Sequence, residues 1–159
     1  MKKFLPAVVR RSTKYQAGVA AVECALLLPV LIAFLTLGFF TVSIFWHYTM
    51  AQKAAQDAAR YLSTVPVAEM MTPASARAAG DLAQEIIRRE IAEVSSSSEI
   101  GTLETFCDTS NCGGNAAGTL PTTVRVHFLI SMFDPFGLVD TGWYGLQITA
   151  NYTMRYAGN

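Results

Sequence analysis

Residues 25–46 read ALLLPVLIAFLTLGFFTVSIFW, and these 22 positions decide the class of the whole chain. They lie inside a longer run, Cys24 to Gln52, in which 29 consecutive residues carry no full charge. About 20 apolar residues rising 1.5 Å each cross the hydrocarbon layer of a bilayer, so the run predicts a membrane-spanning helix. Trp46, His47 and Tyr48 close it with the amphipathic rings suited to a membrane interface. On its N-terminal side Lys2, Lys3, Arg10, Arg11 and Lys14 all precede the first acidic residue, Glu23. That excess of cations places the N-terminus in the cytoplasm and the remaining chain outside. The formal net charge of zero over 159 residues hides this asymmetry, because beyond the leader seven basic residues face twelve acidic ones. A nucleic-acid partner is therefore not expected, since it calls for a basic stripe on the folded part. A cleaved secretory signal is also a poor match: its apolar core runs about 7–15 residues and ends at a small-residue cleavage site, and no A-x-A precedes Trp46.

Glu23 is the anomaly in this picture. A charged group at mid-bilayer costs about 2.5–3.5 kcal/mol on insertion scales, less near an interface, and normally has a partner. Two readings are open. The carboxylate could reach the headgroups, leaving the helix a plain anchor. Alternatively it could meet a cation inside the apolar phase, and Gly18 shows where one would arise. Cutting the Gly18–Val19 bond removes every leader cation and creates an α-amino group on Val19, with Glu23 about one helical turn away. The carboxylate of one subunit could then face the ammonium of a neighbour.

The basic leader followed by GVAAVECALLLPV (residues 18–30) resembles the N-terminus of TadE-like pseudopilins of the tight-adherence, or Flp-type, pilus machinery. The resemblance is close from Ala17 to about Phe40 and extends more weakly through the later order of helix, loop and terminal strands. It implies a type IV pilin-like fold and a prepilin peptidase that cuts after Gly18. It also implies a Glu23 needed for processing or assembly, and a bend at Pro29 used in helix packing. Partners would be other pilin or pseudopilin subunits and inner-membrane pilus assembly proteins. One departure stands out: Cys24 occupies a position where Flp-type proteins commonly carry an aromatic residue, which favours a minor component over a major pilin.

The outer part reads as a small α+β domain on a stalk. MAQKAAQDAARYL, residues 50–62, is rich in strong helix formers, with Ala51, Ala54, Ala55, Ala58 and Leu62 spaced along one face. Pro66 ends this helix. A second amphipathic helix starts with Thr72 as N-cap and Pro73 at its first position, and Leu82, Ile86, Ile87, Ile91 and Val94 form its expected apolar stripe. Residues 95–121 turn to Ser, Thr, Gly and Asn and are expected as a long surface loop. Within it Cys107 and Cys112 enclose CDTSNC. Outside the cytoplasm two nearby cysteines normally oxidise, which predicts a disulfide. A metal site is the rival reading, but His47 and His127 are the only histidines available to complete it. In Thr122 to Ser131 and again in Leu146 to Tyr156, apolar and polar residues alternate, predicting two half-buried antiparallel strands that cover the helices. Between them MFDPFGLVDTGWYG carries Phe133, Phe136, Trp143 and Tyr144. These aromatics either fold into a small core or form a partner-contact site.

No nucleophile elbow, phosphate-binding glycine loop or paired histidines are present, so an enzyme is not expected and no cofactor or metal is implied. The organisation that follows is a basic leader over 1–18, a transmembrane and assembly helix over 19–48, and an extracytoplasmic α+β domain over 49–159. The functional expectation is a minor pseudopilin in the bacterial inner membrane, single-pass, possible also in a surface pilus. The alternative is a bitopic, membrane-anchored binding module that joins no filament.

Overall fold

The computed structural model describes residues 14–94, 99–133 and 145–158. Among them are three helices and four strands in the order α1 (Lys14–Thr64), α2 (Val67–Met70), α3 (Pro73–Val94), β1 (Glu99–Cys107), β2 (Ser110–Asn111), β3 (Thr123–Met132) and β4 (Leu146–Arg155). The class is α+β with a long N-terminal helix, a further helix and an antiparallel sheet. The chain divides into two compact units, Met1–Phe39 and Phe40–Asn159.

In the second unit the strands form one antiparallel sheet in the order β2-β1-β3-β4. Alternation sorts β3 into two faces: Val124, Val126, Phe128, Ile130 and Met132 are buried, while Arg125 is exposed. Pairing extends the inner face to Leu103, Thr105 and Cys107 on β1 and to Ile148, Ala150 and Tyr152 on β4. The alanine stripe of α1, Ala51 to Ala58 with Leu62, is fully buried and joins one apolar cluster with this face and with α3. At the polar margin of the helix pair, burial first and then the nearby Asp57 carboxylate raise the pKa of Glu90, with Lys53 opposing.

Two expectations need correction. Residues 95–121 are not one loop: β1 and β2 occupy Glu99–Cys107 and Ser110–Asn111. Residues 95–98 themselves lie outside the described residues. The register of β1 against β3 shifts between Ile100 and Leu103, which breaks the period-two pattern where it would have announced a strand. On α3 the buried face is Ala76, Ala79, Ala83, Ile87 and Ile91, whereas Leu82 is 49% exposed. The reason is a close approach. A Cβ at Gly80 would lie 2.9 Å from Thr105 Oγ1 and 3.2 Å from Cys112 Cβ, so the small residues, not the leucine, face β1.

The end of α1 is closed by the C-terminal strand. Pro66 cannot extend the helix ladder, and the Ser63 carbonyl instead accepts from the amides of Ala157 and Gly158 at 3.0 and 3.3 Å. The Tyr156 hydroxyl donates to the Val65 carbonyl at 2.7 Å.

Candidate functional site: the bare apolar helix and the disulfide turn

In the N-terminal half of α1 the side chains from Gly18 to Leu35 are exposed on every side. Val19, Leu26, Leu27, Leu31, Phe34 and Phe39 are among the large apolar groups left uncovered. The helix from Gly18 onward is long and apolar enough to cross a membrane. Its hydroxyls do not interrupt the apolar surface, because they bond to their own helix. Thr36 Oγ1 donates to the carbonyls of Ile32 and Ala33 at 3.0 Å, and Thr49 does the same to Phe45 and Trp46. His47 Nδ1 sits 2.7 Å from the Ser43 carbonyl. A surface of this kind is satisfied by lipid or by another apolar helix, not by water.

Gly18 and Val19 lie within α1 and are both exposed, and no atom outside its neighbourhood comes within 4 Å of a Cβ built on Gly18. Glu23 is exposed one turn further on. Pro29 sits inside the helix without ending it, although it has no N–H to offer the carbonyl of Ala25. Cys24 is a free, exposed thiol on the same helix.

At the other functional candidate, Cys107 and Cys112 are joined in a disulfide with their Cα atoms 4.8 Å apart. Both are buried. The turn they enclose is held by Asp108, which adopts φ 62°. Its carboxylate accepts from the amides of Thr122 and Thr123, both at 2.9 Å, and from the Thr122 hydroxyl at 2.7 Å. Partial burial would raise its pKa, but these hydrogen bonds outweigh that and hold it below the ordinary aspartate value. The turn is therefore a structural device. Sequence reasoning marked the cysteines and missed Asp108, whose partners Thr122 and Thr123 lie 14 and 15 positions away.

Of the aromatic segment, Phe133 is exposed at the end of β3, while Phe136, Trp143 and Tyr144 lie outside the described residues. The helix residues and the disulfide turn are described as separate features, at 18–46 and 105–123. On the outer face of the sheet the Arg125 guanidinium stacks over Phe106, 4.6 Å from the ring centre. Among the described residues no group of three or more His, Cys, Asp or Glu is placed to hold a metal ion.

Compared with known proteins, residues 18–60 match the family model of TadE-like proteins. The match covers the apolar helix and the start of the stalk and leaves the sheet unmatched. It agrees with the resemblance carried by GVAAVECALLLPV and points to a membrane-anchored protein associated with a Tad-type pilus and its other components. No curated protein and no solved structure matches the chain.

Proposed function

We propose that this chain is a minor pseudopilin of a Tad/Flp-type system. It enters the bacterial inner membrane with its N-terminus cytoplasmic and is cut after Gly18 by a prepilin peptidase. It then assembles with other pilin-like subunits through the helix that begins at Val19. It performs no catalysis and takes no cofactor.

One observation carries this reading. The N-terminal part of the helix matched as TadE-like, residues 18–35, is bare of protein cover around its whole circumference, and Glu23 is the single carboxylate on that part. An anchor needs the apolar surface but gains nothing from a carboxylate near its start. Cleavage after Gly18 supplies a reason for it. The new ammonium on Val19 and a Glu23 carboxylate on the adjoining subunit have opposite charge and comparable depth, and each relieves the other's burial cost. Pro29, six residues on, would bend the helix where neighbouring helices pack.

The test is intact-mass measurement and N-terminal sequencing of the membrane-expressed chain, with and without a prepilin peptidase. A mature N-terminus at Val19 supports the reading, and a chain still beginning at Met1 in the presence of the peptidase overturns it. In the same cells, Glu23→Ala should abolish incorporation while leaving the outer domain protease-resistant. Undiminished piliation would favour the anchored binding module, which predicts no helix-mediated cross-links near residue 23.

A further inference from the structure

We propose, on the reading that the chain is cut after Gly18, that the helical state of residues 14–22 controls the cut. α1 must unwind through Val22 before the Gly18–Val19 bond becomes a substrate, and Gly18 is the weak point that lets it unwind there.

The bond lies inside a helix. α1 runs without interruption from Lys14, so Gly18 and Val19 fall in its second turn. In the helical ladder the Val19 amide donates to the Tyr15 carbonyl, and the Gly18 carbonyl accepts from the Val22 amide. Both polar groups of the scissile peptide are therefore engaged. Hydrolysis adds water to the Gly18 carbonyl carbon and breaks its bond to the Val19 nitrogen, leaving a Gly18 carboxylate and a Val19 ammonium. An extended segment can pair its backbone with a binding cleft and expose that carbonyl. A helix cannot, because its backbone groups already pair with one another.

Nothing in the folded helix calls for glycine at position 18. Its φ is not left-handed, and a Cβ built on it meets nothing within 4 Å, so alanine would fit. What glycine does there is weaken the helix, by about four- to fivefold in local stability against alanine. No other glycine or proline occurs from Lys14 to Leu28, so the weak point coincides with the bond. It also lies near the end from which the helix frays, since the amides of residues 14–17 have no intrahelical acceptor. Unwinding from that end reaches the bond and leaves the uncharged run of residues 24–52 helical.

When opening and closing are fast relative to cutting, the cutting rate follows the population of the open form. The helix propensities of residues 20–22 then set that rate. Ala20, Ala21 and Val22 are exposed, so substituting them disturbs no packing.

The experiment places the full chain and a prepilin peptidase together in lipid vesicles and follows the initial rate of cutting after Gly18 by intact mass. The variants are Ala20→Gly, Ala21→Gly and Val22→Ala. Each removes side-chain volume, but the effects on the helix have opposite sign: glycine weakens it relative to alanine, and alanine strengthens it relative to valine. The expected result is cutting about four- to fivefold faster in each glycine variant and about two- to threefold slower in Val22→Ala. Rates equal to that of the native chain, or three rates shifted in one direction, overturn the proposal. A native chain left uncut would instead refute the cleavage reading itself, which separates the two failures.

Discussion

Two glycines that follow the disulfide turn allow backbone strain and steric clash to be measured separately. Gly113 and Gly118 both adopt left-handed backbone conformations, φ 89° and 82°. A Cβ on Gly118 would meet nothing within 4 Å, whereas on Gly113 it would lie 2.6 Å from the Pro73 carbonyl oxygen and 2.8 Å from Arg77 Cβ. Gly118→Ala should therefore cost only the left-handed penalty, about 1–2 kcal/mol. Gly113→Ala carries the same penalty plus overpacking of about 1–3 kcal/mol, for a total of about 2–5 kcal/mol. Neither contact partner yields easily, since one is backbone at the start of α3 and the other is a Cβ in its first turns. The assay is pulse proteolysis across a urea series on the full chain in nanodiscs, which reads unfolding of the domain without requiring α1 to leave the bilayer. The Gly113 variant should have the lower urea midpoint by a margin corresponding to about 1–3 kcal/mol. Equal midpoints would refute the close approach of this turn to α3.

Three further outcomes follow from the packing and the perturbed groups. Phe128 is fully buried at the centre of the sheet, so Phe128→Ala should destabilise the domain by about 3–5 kcal/mol in the same assay. Asp108 titrates below its ordinary value near 3.8, so its stabilisation is full above that value and is lost as pH falls through the lower folded-state value. The stability gap between the native chain and Asp108→Asn should thus narrow during acid titration. Burial raises the Tyr156 pKa above 10.0, so its contribution is complete below pH 10 and disappears as pH rises through the folded-state value. Tyr156→Phe should cost about 0.5–1.5 kcal/mol at neutral pH through the lost bond to Val65 and should show a shallower alkaline decline.

The sequence by itself determined the features that depend on one segment at a time. An uncharged run of 29 residues specifies an apolar helix wherever it folds, because no other local structure satisfies its backbone in lipid. Pro66 and Thr72–Pro73 mark the breaks around the short α2, since a ring without an N–H acts on its own backbone. The alternation in β3 and β4 was legible because both faces of those strands differ strongly in polarity along their whole length. Glu23 and Gly18 were also legible, one by being charged in an apolar run and the other by its place before it.

Only the tertiary structure decided what depends on two segments meeting. β1 reads EIGTLETFC, with threonine and cysteine at inward positions and a register shift after Ile100, so its strand character comes from pairing with β3 and not from its own pattern. The buried face of α3 was misread at Leu82 because hydrophobicity alone ranks leucine above alanine. Contact at Gly80 with Thr105 and Cys112 leaves room for small side chains only, and close packing then overrides transfer free energy. The anchoring of Asp108 by residues 14 and 15 positions away belongs to the same class.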